Sequence, residues 1–147
     1  MPKRSPLAKL KPPKLHDPVA RERLFALLDQ HRKASIIWVS GPPGSGKTTL
    51  LASYLEARAL PCHWFQFDTG DRDPATFFYY LGELLAHAPR KTAPPLPYFT
   101  PDYLPDLAGF ARRFFRCLFS SLPSGTVFVL DDCHEAMCES IESVLRE

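Results

Sequence analysis

Gly41-Pro42-Pro43-Gly44-Ser45-Gly46-Lys47-Thr48 carries the spacing G-x-x-x-x-G-K-T, in which each residue type has a chemical task toward a phosphate chain. Gly41, Gly44 and Gly46 permit the backbone angles and close approach that aim successive N–H groups at phosphate oxygens. Lys47 supplies a point charge for β- and γ-phosphates. Thr48 offers a hydroxyl to a magnesium ion, and Thr49 continues into a helix whose positive end faces the anion. The pattern predicts a nucleoside triphosphate with Mg2+, contacted by the whole loop, Pro42, Pro43 and Ser45 included.

A second group of residues could handle the metal. The apolar, β-branched run Thr126-Val127-Phe128-Val129-Leu130 follows the turn Pro123-Ser124-Gly125 and ends in Asp131-Asp132. This reads as a buried strand with carboxylates at its C-terminal edge. Beside a phosphate loop, such an acid helps hold the magnesium. Asp131 is the candidate for that role, and Asp132 for polarising an attacking water, so Lys47, Asp131 and Asp132 form the candidate catalytic set. A turn or a helix cap is the competing use of an Asp pair. His134 is either a neighbour of the phosphates or a solvent-facing loop residue. Cys133, His134 and Cys138 lack a fourth ligand at a sensible spacing, so no zinc site is predicted.

These groups need elements to hold them. The run Ile36-Ile37-Trp38-Val39 predicts a strand over 35–40 leading into the loop, followed by a helix to about Arg58 packing through Leu50, Leu51, Tyr54 and Leu55. Asp17-Pro18 predicts an earlier helix start, as a cap with proline at the first helical position. Cys62 to Phe67 reads as a further strand ending at Asp68. Asp73-Pro74 opens a helix with the aromatic stripe Phe77, Phe78, Tyr80 and Leu81, read as core. Six prolines between Pro89 and Pro105 predict an extended loop or linker. Another helix runs from about Asp106, with Phe110, Phe114 and Leu118 inward and Arg112, Arg113 and Arg116 outward. A last short helix spans Ala136 to Arg146. Strands alternating with helices argue an α/β fold, a P-loop NTPase with a parallel sheet flanked by helices.

The 147 residues suffice for one domain, and 45% hydrophobic content suits a globular core. A net charge of +2 is too mild to imply nucleic-acid binding. The imbalance sits in residues 1–16, a basic, proline-rich arm whose Lys3, Arg4, Lys9, Lys11 and Lys14 are expected in solvent. The domain is expected over 17–147. No secretory segment or membrane span is evident, and four cysteines without C-x-x-C spacing read as reduced thiols, so a cytoplasmic location is expected.

The order Lys11-Pro12-Pro13, Val19-Ala20-Arg21-Glu22-Arg23-Leu24, the phosphate loop, Trp64-Phe65-Gln66-Phe67-Asp68, Asp71 to Leu81, and Leu130-Asp131-Asp132-Cys133-His134 resembles one particular group. It is similar to the ATPase module of maltose-regulon-activator-type regulators, within the signal-transduction ATPases with numerous domains. The resemblance covers about residues 9 to 140. It implies ATP and ADP as the switching ligands, slow hydrolysis, possible self-association on ATP binding, and a DNA-binding output domain elsewhere in the longer members. It also implies that Val19 and Arg21 lie near the nucleotide base; helix surface and core is the alternative for that pair.

The resemblance further implies a sheet in the order 5-1-4-3-2, with the phosphate-loop strand between strands 4 and 5. Neither of these follows before Glu147. The expectation is therefore a fragment with an incomplete core, in which the phosphate-loop strand lacks hydrogen-bond partners. A small phosphotransferase of the nucleotide-kinase kind and a non-catalytic interaction remnant are the rival functions. The first needs an acceptor site and an arginine-rich lid, for which the proline-rich segment offers only Arg90 and Lys91.

Overall fold

The computed structural model describes residues 7–86 and 95–146. The chain divides into two compact units, one of residues 1–11 and 62–147 and the other of residues 12–61.

The smaller unit holds two helices, α1 (Glu22–His31) and α2 (Lys47–Ala57). They are joined by side chains converging on one carboxylate. Asp29 of α1 accepts the Tyr54 hydroxyl at 2.7 Å and the Arg58 guanidinium at 2.9 and 3.1 Å. The Phe25 and Tyr54 rings meet edge to face with centroids 5.5 Å apart. The Asp17-Pro18 cap is not used. Asp17 has φ of 42°, which is incompatible with a helix start there, and α1 begins five residues later behind Arg21.

The strand expected over 35–40 does not form. The segment has no regular secondary structure and no ladder partners among the described residues, and Ile36 and Trp38 are 80% and 75% exposed. An apolar run becomes a strand only when a neighbour accepts its backbone hydrogen bonds. Here the segment instead borders an open groove of about 490 Å³, lined by Leu24, Leu27, Leu28 and His31 of α1 and by Leu50.

The larger unit is built on two parallel strands, β1 (Cys62–Gln66) and β2 (Val127–Asp131), in register from Cys62 opposite Val127 to Gln66 opposite Asp131. Adjacent residues Trp64 and Phe65 of β1 are both buried, as in strands covered on both faces. Helices α3 (Pro74–Ala86) and α4 (Leu107–Ser121) follow their expected starts. Asp73 caps α3 through the Thr76 N–H at 2.9 Å, and Asp106 caps α4 through the Gly109 N–H at 3.1 Å. A short α5 (Glu139–Leu145) closes the order. The aromatic stripe is core. Phe78 sits among Phe77, Phe99, Phe110 and Phe114 with ring centroids 4.8–5.5 Å away. Arg112, Arg113 and Arg116 face solvent as expected.

Two segments are better ordered than composition suggested. Of the expected 89–105 linker, residues 89–94 lie outside the described residues. Its remainder includes a 3-10 turn, Pro101–Asp106, and brings Phe99 and Tyr103 onto Phe110 at 5.1 and 4.8 Å. Large aromatic side chains between the prolines turn what looked like a linker into a cover over the core. The basic arm also departs from a solvated tail. Ala8–Leu10 forms a 3-10 turn, and Leu10 is buried. Lys9 donates to Asp68 at 2.7 Å and to both oxygens of Asp71 at 2.8 Å, and its ammonium lies 4.5 Å from the Tyr80 ring centroid.

Candidate functional site

The phosphate loop lies in the smaller unit and has the backbone its glycines predicted. Gly44 and Gly46 have φ of 75° and 78°, in the left-handed region open to glycine. Gly46 is the residue before α2, and its carbonyl accepts the first helical hydrogen bond from Leu50 N–H at 2.8 Å. Lys47, Thr48 and Thr49 therefore occupy the first turn of α2, where backbone N–H groups have no intrahelical acceptor and the helix dipole is positive. Ser45 N–H donates to the Pro42 carbonyl at 3.2 Å, closing the turn ahead of them.

Lys47 folds over its own loop. Its ammonium donates to the carbonyls of Gly41 and Pro42 at 2.9 and 3.1 Å. A cation held this way can exchange carbonyl oxygens for more negative phosphate oxygens. The donor set of ammonium, first-turn N–H groups and Thr48 hydroxyl fits a polyphosphate with a magnesium ion.

The two residues assigned by resemblance to the base side differ in placement. Val19 is 83% exposed. Arg21 reaches the loop, its Nη1 donating to the Ser45 carbonyl at 3.1 Å.

The acidic pair lies in the larger unit. Asp131 ends β2 and is buried, and its carbonyl accepts the Phe67 N–H at 2.9 Å. Its Oδ1 accepts the N–H of Asp132 at 3.1 Å. Asp132 takes a left-handed conformation, φ 54° and ψ 36°, which turns the chain off the strand and into a 3-10 turn. Its Oδ2 accepts the amide of Gln66 at 3.0 Å. His134 is exposed and pairs with Glu135 at 3.2 Å. Burial, with Asp131 and Asp132 nearby, pushes the Cys133 thiol up from its ordinary value, which keeps it protonated.

The sequence reading missed Gln66, Lys9 and Asp71. A polar residue closing a strand beside the acidic one hints at the first. The i, i+3 pair Asp68 and Asp71 forms a capping box that is legible locally. Nothing local announces that Lys9, more than fifty residues earlier, completes it.

A phosphate loop feeding a helix and an acid-terminated parallel strand together define an α/β P-loop ATPase architecture. The AAA ATPase domain family matches residues 19–146, and the chain belongs to that family. The chain is 29% identical over 141 residues to the HTH-type transcriptional regulator MalT of Vibrio cholerae, covering 92% of this chain and 15% of the relative. It is 34% identical over 71 residues to the MalT of Cronobacter sakazakii, covering 48% of this chain and 8% of the relative. No solved structure matches it. Among the described residues, no helix is long and apolar enough to cross a membrane.

Proposed function

We propose that this chain is an ATP-binding module of a nucleotide-switched, cytoplasmic transcriptional regulator. The observation that carries the reading is the phosphate loop. Gly44 and Gly46 are in left-handed conformations, Lys47 is poised on loop carbonyls, and α2 starts at the loop's end. Lys47 and the first-turn N–H groups bind the β- and γ-phosphates, and Thr48 ligates magnesium. Asp131 would be the acid that helps Thr48 hold magnesium and Asp132 the carboxylate that orients water for slow hydrolysis, roles carried over from the family pattern. When held there, magnesium would supply charge neutralisation on the phosphates. Val19 borders the base.

The relatives are named as HTH-type regulators, which supports a DNA-binding output supplied by other parts of a longer protein. ATP against ADP would then set its state, with self-association favoured by ATP. This segment itself is not the nucleic-acid contact, given its mild charge.

The test is thermal unfolding of the 147-residue chain with and without Mg-ATP, beside Lys47→Ala. Binding to the native state alone at a hundredfold excess over Kd stabilises by about 2.7 kcal/mol. A rise in the melting temperature of the unsubstituted chain, absent from Lys47→Ala, supports the reading. The same temperature with and without Mg-ATP refutes it.

A further inference from the structure

We propose that Arg21 is a positioning residue for the phosphate loop, setting the orientation of the peptide that joins Ser45 to Gly46. This deepens the nucleotide-binding reading and rests on it. Two observations meet at this residue. Its backbone starts α1, the Arg21 carbonyl accepting the N–H groups of Leu24 and Phe25 at 2.8 and 2.9 Å. Its side chain leaves that fixed point and places Nη1 3.1 Å from the Ser45 carbonyl oxygen. The guanidinium also lies so close to the next residue that a Cβ on Gly46 would stand 2.9 Å from Nη2.

The consequence follows from peptide geometry. A trans peptide is planar, so its C=O and the N–H of the next residue point in opposite directions. Holding the Ser45 oxygen on one side therefore directs the Gly46 N–H to the other, away from the guanidinium. Gly46 bounds this peptide on one side, and with no Cβ and left-handed angles it leaves the peptide plane freer to turn. A charge-assisted hydrogen bond to the oxygen is an economical way to stop it. Arg21 thus prepares a phosphate-facing donor and ties the start of α1 to the state of the loop.

The experiment measures binding of Mg-ATP, Mg-GTP and magnesium tripolyphosphate to the 147-residue chain by calorimetry, for the unsubstituted protein, Arg21→Ala, Arg21→Lys and Lys47→Ala. Arg21 is exposed, so its replacement leaves the core intact. Arg21→Ala is expected to weaken all three ligands by the same factor, about tenfold for one charge-assisted bond. Arg21→Lys is expected to recover only part, because an ammonium keeps the charge but not the guanidinium fork. Amide exchange at Gly46 without ligand is expected to accelerate in Arg21→Ala.

Weakened Mg-ATP with unchanged tripolyphosphate would overturn the proposal in favour of a base contact. Full recovery by Arg21→Lys would reduce Arg21 to a charge and overturn it too, as would unchanged affinities in Arg21→Ala. If the unsubstituted chain and Lys47→Ala bind all three ligands equally poorly, the nucleotide reading itself fails. That result is distinct from any in which only the Arg21 variants depart from expectation.

Discussion

Gln66 and Asp132 are joined across the C-terminal ends of the two paired strands, the Gln66 amide donating to Asp132 Oδ2 at 3.0 Å. That bond helps hold Asp132 in its left-handed conformation, a region that Asp and Asn enter more readily than other residues with a Cβ. Asparagine tolerates that region and can still accept from Gln66 through its amide oxygen. Asp132→Asn is therefore expected to melt within a few degrees of the unsubstituted chain and to keep its Mg-ATP affinity, while losing hydrolysis measured by phosphate release. A variant that hydrolyses at the original rate would remove Asp132 from the water-polarising role.

Lys9 and Asp71 form the most buried ion pair described, with side chains 14% and 0% exposed. Asp71 also accepts the Asp68 N–H at 2.8 Å. Removing one partner of a buried pair costs about 3–5 kcal/mol, because the other charge is left without compensation. Lys9→Met should lower the stability of the larger unit by an amount of that order in urea unfolding. Adding Asp71→Asn removes the stranded charge yet keeps an acceptor for the Asp68 N–H, and should restore a large part of the loss. A Lys9→Met chain as stable as the original would show that the turn of residues 8–10 is not a structural part of the unit.

Stability should fall in two steps on acidification. Burial holds the His63 pKa below its ordinary 6.5, so the unfolded chain takes up that proton first. Stability is whole above about 6.5 and declines as pH falls from there toward the lower native value. The second step belongs to carboxylates. The Arg58 guanidinium and Tyr54 hydroxyl lower Asp29, the Lys9 ammonium lowers Asp68, and the Thr76 hydroxyl lowers Asp73, all from an ordinary 3.8. Their contribution is present above about 4 and is lost as pH falls through the lowered native values. His63→Leu should remove the first step and leave the second, as read from urea midpoints between pH 7 and 3. A first step that survives the substitution would assign it to another group.

What could be read from the sequence divides along a physical line. Features fixed within a few residues were legible. The phosphate loop, the caps at Asp73 and Asp106, the arginine face of α4 and the acid-terminated strand all appear where local chemistry put them. Features that depend on a distant partner were not. The apolar run at 36–39 has the composition of a strand, but no neighbour among the described residues pairs with it. Lys9 looked like one more solvated lysine, because its partners at 68 and 71 are distant in sequence. Asp17-Pro18 has the chemistry of a cap, yet the left-handed angle at Asp17 sends the chain elsewhere and α1 starts at Glu22. Arg21 was placed near the base by resemblance alone, and its hydrogen bond to the Ser45 carbonyl is a loop contact that no local pattern announced.

Gly44 and Gly46 have nearly the same backbone angle, so replacing either with alanine carries the same left-handed penalty, about 1–2 kcal/mol. Their surroundings separate them. A Cβ at Gly44 meets nothing within 4 Å, while one at Gly46 would stand 2.9 Å from Arg21 Nη2. The guanidinium is the far end of a flexible side chain, so Gly46→Ala should displace it from Ser45 instead of distorting the helix start. Gly46→Ala therefore carries the loss of the Arg21 bond as well as the backbone cost. In a cycle with Arg21→Ala, the second substitution should then cost less than it does alone, with a coupling of at least about 0.5 kcal/mol. Gly44→Ala and Arg21→Ala should add without coupling, within about 0.3–0.5 kcal/mol. Urea midpoints of the single and double variants measure both cycles. Equal coupling in the two would mean that Arg21 senses the loop as a whole and not the Ser45–Gly46 peptide.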